Sequence, residues 1–91
     1  MDIKQLRSFI TISETKNITK AAALLNIVQP AVSRQIHLLE DELGVELFER
    51  SRHGMHLTNE GKILEEYARR ALKEIETAKI ELTSSDGALK G

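Results

Sequence analysis

Six apolar residues recur along the last third of the chain at alternating spacings of four and three residues. They are Leu64, Ala68, Ala71, Ile75, Ala78 and Leu82. Charged side chains fill the positions between them, so the apolar residues form one stripe of a helix. Such heptad spacing predicts a long helix that pairs with the same helix of a second copy. The alternative is a stripe that folds back onto the N-terminal part of its own chain.

The ends of this helix divide the chain into three parts. Thr58 is the predicted N-cap of this helix, because its hydroxyl can accept a hydrogen bond from a free backbone N–H. Glu60 is favourably placed in the first turn. Small residues are frequent near the C-terminus and predict a hinge that is cut short. We therefore expect a head over residues 1–58, a linker and dimerisation helix over 59–83, and the truncated hinge over 84–91.

The head has the pattern of a helix-turn-helix over about residues 18–37. Apolar spacing predicts a first helix over 3–14, a short second helix over 20–25 with Thr19 as its N-cap, and a third helix over 30–43. Pro30 suits the first turn of the third helix, and Gly44 suits its C-terminal end. One stripe of this helix is predicted to be core, at Val32, Ile36, Leu39 and Leu43. The opposite stripe is predicted to be exposed, at Pro30, Ser33, Arg34 and His37.

Two short extended segments, residues 46–50 and 55–57, flank a turn that contains Gly54. This pattern predicts a β-hairpin wing over residues 46–57, with Arg52 and His53 at its tip. The predicted fold class is therefore mainly α. It is a winged helix-turn-helix head, with three helices and a two-stranded wing, followed by a long dimerising helix.

Composition excludes several other classes of protein. The chain has no cysteine, which excludes disulfides and thiolate zinc sites, and its three aromatic residues argue against a platform that stacks single-stranded nucleic acid. No apolar run reaches the ~18 residues needed to span a bilayer. The first nine residues lack the apolar stretch of a signal peptide. A cytoplasmic protein without membrane attachment is therefore predicted.

Charge is balanced overall but segregated along the chain. Thirteen basic and fourteen acidic residues give a net charge of −1, so binding to nucleic acid would depend on where the charges lie. Residues 15–39 contain Lys16, Lys20 and Arg34 and no acid, residues 40–49 contain acids and no base, and residues 50–56 are basic again. The two basic blocks are predicted to converge on one face, with the acidic helix end pointing away. Ordinary surface scatter is the alternative.

Residues 17–40, NITKAAALLNIVQPAVSRQIHLLE, closely resemble the N-terminal signature of LysR-type transcriptional regulators. Residues 43–50, LGVELFER, and residues 57–61, LTNEG, continue the resemblance in the same order. The resemblance covers residues 1 to about 87. It implies an isolated DNA-binding domain, without the effector-binding domain, that reads an A·T-rich inverted repeat in double-stranded DNA as a homodimer. It also implies a full-length parent that forms tetramers and bends promoter DNA.

The resemblance implies base contacts from the start of the third helix, because an α-helix fits the major groove and presents its N-terminal half to the base edges. Arg34 has a planar fork that suits guanine, and Gln29 can pair with adenine or reach a phosphate. The expected base contacts are Gln29, Pro30, Ala31, Ser33 and Arg34. The alternatives are a surface ion pair for Arg34 and a helix cap for Gln29.

Contacts to phosphates position such a domain without reading sequence. The expected residues are Thr19, Lys20 and Arg50, with Lys4 and Arg7 as weaker candidates. Arg52 and His53 are expected to approach the minor groove, whose narrow A·T stretches attract cations, or else to form a solvated turn. For His37 a plain surface role is slightly favoured over DNA contact.

Catalytic and metal-binding roles are not expected. His53 and His56 are three residues apart on a predicted hairpin, without a cysteine or a third ligand nearby, and Ser33 lacks a general base. We therefore expect no metal, no cofactor and no enzymatic activity, and a nucleoid-associated location when the protein is bound to DNA. The alternative function is a coiled-coil protein-interaction module without base readout.

Overall fold

The computed structural model describes residues 1–90, with side chains placed through Ser84. The head contains three helices, α1 (Ile3–Thr15), α2 (Ile18–Leu25) and α3 (Gln29–Leu43). An antiparallel hairpin follows, with strands β1 (Phe48–Ser51) and β2 (Gly54–Leu57), and the chain continues into α4 (Asn59–Lys90). This is the predicted order of three helices, a wing and a long helix.

Local hydrogen bonds explain where most of the helices begin and end. Asp2 and Gln5 form a capping box before α1, in which each side chain accepts the other residue's backbone N–H. Pro30 lies in the first turn of α3, and the N–H of Gly44 closes this helix on the Glu40 carbonyl at 2.8 Å. At the start of α4 the Thr58 hydroxyl accepts the Gly61 N–H at 3.0 Å. The predicted roles of Pro30, Gly44 and Thr58 are confirmed.

The predicted N-cap of α2 is wrong. Asn17, not Thr19, caps the helix, because its side-chain oxygen accepts the Lys20 N–H at 2.9 Å. The helix therefore begins at Ile18, two residues earlier than the sequence pattern indicated. Ile18 is buried, so its inclusion adds an apolar side chain to the core.

The core lies between the three head helices, the wing and the start of α4. Phe9 is fully buried, and its ring lies 5.3 Å from that of Phe48 on β1. Val32, Ile36 and Leu39 are buried as predicted, but Leu43 is 37% exposed. The prediction for Leu43 is wrong because this residue ends α3, where it lines an open groove with Met1 and other side chains instead of the core.

The wing is shorter on its first strand than predicted. Leu47 donates its N–H to a Glu40 carboxylate oxygen at 2.7 Å and accepts the Thr58 N–H at 3.0 Å. Residues 46 and 47 are therefore tied to α3 and α4, and strand pairing begins at Phe48, opposite Leu57. At the other end of the wing, the pairing of Ser51 with Gly54 leaves Arg52 and His53 as the tip.

The apolar stripe of α4 divides into two parts. Ala68 is 1% exposed and belongs to the core of its own chain, and Leu64 and Ala71 pack partly against the same core. The prediction that Ala68 faces a second copy is wrong, because the head already covers it. Further along, Ile75 is half-buried and Ala78 is exposed, and Leu82 is 70% exposed. The fold-back alternative therefore describes only the first part of the stripe.

An ion pair joins α4 to the first helix. Arg69 Nη1 donates to Glu14 Oε2 at 3.0 Å, and Nη2 donates to Glu65 Oε2 at 3.3 Å. The hydrogen bond with Glu14 raises the pKa of Arg69. The guanidinium therefore keeps its positive charge, and the contact tethers α4 beside the end of α1.

The long helix also ends later than predicted. It continues past Thr83 to Lys90, so residues 84–90 of the predicted hinge are helical, and Gly91 lies outside the described residues. No proline interrupts this stretch, and a single glycine costs a helix only about 1 kcal/mol. Over residues 1–90, none of the helices combines the length and apolar character needed to cross a membrane.

Candidate nucleic-acid interface

The first two turns of α3 present the residues that the sequence predicted as base contacts. Gln29, Pro30 and Arg34 are exposed, whereas Ala31 and Ser33 are half-buried. Val32 and Ile36, which alternate with them along the helix, anchor α3 in the core. The buried stripe thus fixes the rotation of α3 and directs the polar stripe away from the protein.

The structure contradicts both alternative roles for this stripe. Arg34 makes no ion pair with any side chain of residues 1–84. Gln29 does not cap α3, since Val28 is the N-cap and makes no side-chain hydrogen bond there. Instead, the Thr19 hydroxyl donates to Gln29 Oε1 at 3.3 Å, which joins the starts of α2 and α3.

A cleft of about 210 Å³ lies between the start of α2, the start of α3 and the wing. None of the residues around it carries a carboxylate, and we call it the acid-free cleft. It is lined by Lys16, Asn17, Ile18, Thr19, Gln29, Arg50, Ser51, Gly54 and Met55. The cleft therefore gathers residues from both basic blocks of the sequence.

The acid-free cleft has the donors that an anionic group requires. The backbone N–H groups of Ile18 and Thr19, in the first turn of α2, have no acceptor within their own helix. Lys16 and Arg50 contribute positive charge, and Arg50 Nε lies 3.5 Å from Met55 Sδ, opposite it on the wing. Helix N-terminal amides together with cationic side chains form a site suited to phosphate.

A larger cleft, of about 450 Å³, separates the middle of α3 from the wing. Three carboxylates line it, those of Glu40, Glu46 and Glu49, and we call it the acid-lined cleft. Its polar lining consists of Ser33, His37, Glu40, Glu46, Glu49 and Arg50. The predicted separation of charge is wrong for this region, because the hydrogen bond between Glu40 and Leu47 folds the acidic segment onto α3. Arg50 lines both clefts and stands at the boundary between them.

The remaining predicted phosphate-contacting residues lie outside the two clefts. Lys20 is exposed on α2, Lys4 and Arg7 are exposed on α1, and Arg52 and His53 are exposed at the tip of the wing. His37 is also exposed, with Nδ1 3.7 Å from Glu40 Oε1. Over the described residues, no three His, Cys, Asp or Glu side chains are placed to hold a metal ion.

Sequence reasoning missed three polar residues of the acid-free cleft, Lys16, Asn17 and Ser51. The acid-free run over residues 15–39 was a signal for Lys16. Its placement depends, however, on a left-handed backbone conformation, with φ of 58°, which ends α1 and turns the chain toward the wing. Nothing in the sequence indicated Ser51, whose hydroxyl accepts the His53 N–H at 3.1 Å and shapes the tip.

Comparison with known families gives a match over most of the head and the start of α4. Residues 3–62 match the family described as bacterial regulatory helix-turn-helix protein, lysR family. The chain is also similar to the HTH-type transcriptional regulator BsdA of Bacillus subtilis, with 49% identity over 83 residues. That alignment covers 90% of this chain and 29% of BsdA.

Solved structures of similar sequence include two bound to DNA. The CbnR_DBD–DNA complex superposes with a TM-score of 0.86 at 37% identity, covering 94% of this chain and 99% of that one. The BenM_DBD/catB site 1 DNA complex gives a TM-score of 0.87 at 37% identity, covering 96% and 97%. The winged helix-turn-helix architecture with a long C-terminal helix is therefore confirmed.

Proposed function

Because the chain belongs to the lysR family of bacterial regulatory helix-turn-helix proteins, we propose that it binds double-stranded DNA sequence-specifically as part of a transcriptional regulator. In this proposal α3 enters the major groove and presents Gln29, Pro30, Ala31, Ser33 and Arg34 to the base edges. The wing lies beside it, near the backbone and the minor groove. The role is one of binding, without catalysis and without a cofactor.

The observation that carries the proposal is the position of the acid-free cleft beside the exposed start of α3. Gln29 belongs to both features, so a phosphate held in the cleft would place the neighbouring bases against α3. Thr19 supplies a backbone N–H to this phosphate, and Arg50 supplies charge. The carboxylates of the acid-lined cleft disfavour a phosphate further along α3, so charge defines which end of the helix faces DNA.

Outer contacts complete the proposed footprint. Lys20, Lys4 and Arg7 are exposed cations on the two helices that precede α3, and each would contact a neighbouring phosphate. Arg52 and His53 form the two-residue tip of the wing, which is narrow enough to approach an A·T-rich minor groove. These contacts would position the domain and contribute to affinity without reading every base.

We further propose that two copies pair through α4 and read an A·T-rich inverted repeat. The half-buried Ile75 and the exposed Ala78 and Leu82 would form the centre of this contact, with Leu64 and Ala71 at its edge. A dimer with two-fold symmetry places its two α3 helices in successive major grooves, about 34 Å apart. The inverted repeat mirrors this symmetry.

The full-length parent is expected to contain more than this domain. The matched part of the chain spans only 29% of BsdA and 27% of ClcR of Pseudomonas putida, another similar regulator. We propose a cytoplasmic tetrameric parent, nucleoid-associated when bound, that carries an effector-binding domain and bends promoter DNA.

The test is a fluorescence anisotropy titration of an A·T-rich inverted-repeat duplex and a scrambled duplex of the same composition, over a salt series. We expect tighter binding to the repeat, with an affinity that falls steeply as salt rises because phosphate contacts release counterions. Equal binding to the two duplexes would contradict sequence-specific readout of this repeat. Absence of binding even at low salt would favour the coiled-coil interaction module instead.

A further inference from the structure

The hydrogen bond between Thr19 and Gln29 fixes which end of the Gln29 amide faces outward. A carboxamide oxygen can only accept a hydrogen bond, so at 3.3 Å the Thr19 hydroxyl is the donor and Gln29 Oε1 is the acceptor. With its oxygen turned toward α2, the amide directs its NH₂ group away from Thr19. Gln29 therefore presents two N–H donors at the start of α3.

Few other donors are available at this point. Val28 provides no side-chain cap, and Pro30 has no backbone N–H. The N–H groups of Ala31 and Val32 both donate to the Val28 carbonyl oxygen, at 3.0 and 3.3 Å. In the first turn of α3, the free hydrogen-bond donors are therefore the backbone N–H and the side-chain NH₂ of Gln29. The orientation of one amide sets the hydrogen-bonding character of the leading end of the helix.

We propose that Thr19 is a positioning residue that makes Gln29 a hydrogen-bond donor to an acceptor on the major-groove edge of one base pair. The inference rests on the proposed function and adds to it the polarity of one contact. A free Gln amide can use its oxygen and its NH₂ together to pair with adenine, or its NH₂ alone to reach an acceptor. The Thr19 hydroxyl favours the second mode because it holds Oε1 toward α2 and so turns the NH₂ group outward.

This assignment also separates the Thr19 side chain from the cationic side chains that contact phosphate, although the Thr19 backbone N–H faces the acid-free cleft. Its hydroxyl hydrogen is used within the protein, and its side chain is uncharged. Removing the hydroxyl should therefore change base preference but leave the dependence of affinity on salt nearly unchanged. Removing a cation that contacts phosphate would have the opposite effect. The dependence of affinity on salt would become weaker, and affinity would fall by a similar factor on all sequences.

The test begins with selection of a duplex from a randomised library by the wild-type chain. Each base pair of the enriched duplex is then substituted in turn, and affinities are measured for the wild type and for Thr19→Val, Thr19→Ser, Gln29→Ala and Gln29→Glu. Valine keeps the shape of threonine without its hydroxyl, and serine keeps the hydroxyl. Glutamate can still accept from Thr19 but has no outward donor.

We expect Gln29→Ala and Gln29→Glu to lose discrimination at the same base pair by about tenfold, within the usual range for one base contact. Thr19→Val should reduce discrimination at that base pair by about two- to tenfold, the factor for one neutral hydrogen bond. Thr19→Ser should retain the wild-type preference. The three uncharged substitutions, Thr19→Val, Thr19→Ser and Gln29→Ala, should keep the wild-type salt slope.

The outcomes distinguish the two levels of the proposal. If Thr19→Val matches the wild type at every base pair, or Gln29→Glu keeps full preference, the positioning role is wrong although sequence-specific binding stands. If the wild-type chain enriches no sequence, both the proposed function and this inference fail. Loss of preference at one shared base pair, rescued by serine, supports the inference.

Discussion

The carbonyl oxygen of Lys16 lies where a Cβ on Gly54 would have to be. The same carbonyl accepts the backbone N–H of Met55 at 3.0 Å. The end of α1 and the beginning of β2 therefore meet backbone to backbone, and this contact joins the wing to the helical head next to the wing tip. Gly54 also has φ of +116°, a conformation that side-chain-bearing residues rarely adopt.

We expect Gly54→Ala to destabilise the head. The added methyl group would overlap the Lys16 carbonyl, and the positive φ alone costs on the order of 1–3 kcal/mol for a residue with a side chain. The measurement is the free energy of unfolding from urea titration followed by circular dichroism. Gly44→Ala is the matched control, because Gly44 also has positive φ but has no atoms within 4 Å of its Cβ position. An equal loss in the two variants would show that the contact with Lys16 contributes nothing.

Ser8 links α1 to α3 through a partly buried hydrogen bond. Its hydroxyl, in a residue only 1% exposed, donates to Gln35 Oε1 on α3. We expect Ser8→Ala to cost about 1–3 kcal/mol of unfolding free energy, because the Gln35 oxygen would remain partly buried without its partner.

A double-mutant cycle with Gln35→Met tests this account. If the Ser8–Gln35 hydrogen bond accounts for the lost unfolding free energy, the two substitutions together should cost less than the sum of the single changes, since no unpaired group remains. Additive losses in urea unfolding would mean that Ser8 acts through packing alone.

Arg34 is expected to read a base. Arg34→Ala should weaken binding to a selected operator by on the order of 1–3 kcal/mol per half-site and relax the preference at one base pair. Arg34→Lys keeps the charge but lacks the planar fork, so it should retain nonspecific affinity and still lose that preference. Anisotropy titrations on specific and random duplexes measure both effects. An Arg34→Ala loss of the same size on random DNA would argue against base readout.

The dimer contact is expected to depend on the part of α4 beyond the head. Ile75→Asp should weaken self-association, because it would bury an unpaired charge between two helices. Sedimentation velocity over a range of protein concentrations measures this change. Ser84→Asp adds the same charge at an exposed position off the apolar stripe and should leave association nearly intact. An unchanged dimer in Ile75→Asp would place the interface elsewhere.

Sequence reasoning recovered the order of elements because the decisive signals are local. Pro30, Gly44 and Thr58 act through their own backbone geometry or a single side chain, so their positions predict helix ends directly. Asn17 and Thr19 both favour N-caps, and asparagine is the slightly better N-cap residue. The burial of Ile18 in the core also favours Asn17, which the apolar spacing alone did not reveal.

The tertiary contacts of the site could not be predicted from the spacing of apolar residues. Heptad spacing identified Ala68 as apolar and inward-facing, but it could not tell whether the chain's own head or a second copy covers it. The exposed stripe of α3 was predictable from helical periodicity. The joining of Lys16, Gln29 and Arg50 around one cleft depends on the left-handed turn at Lys16 and the docking of the wing, which no spacing encodes.

The two backbone hydrogen bonds of Leu47 limit how far the wing can move relative to α3 when the protein binds DNA. One joins the approach to the wing to α3 through Glu40, and the other joins it to the start of α4 at Thr58. The base of the wing therefore moves together with the recognition helix. We therefore expect either element to lose little conformational entropy on association, and we expect the fit to a duplex to depend on bending of the DNA and on the two residues at the wing tip.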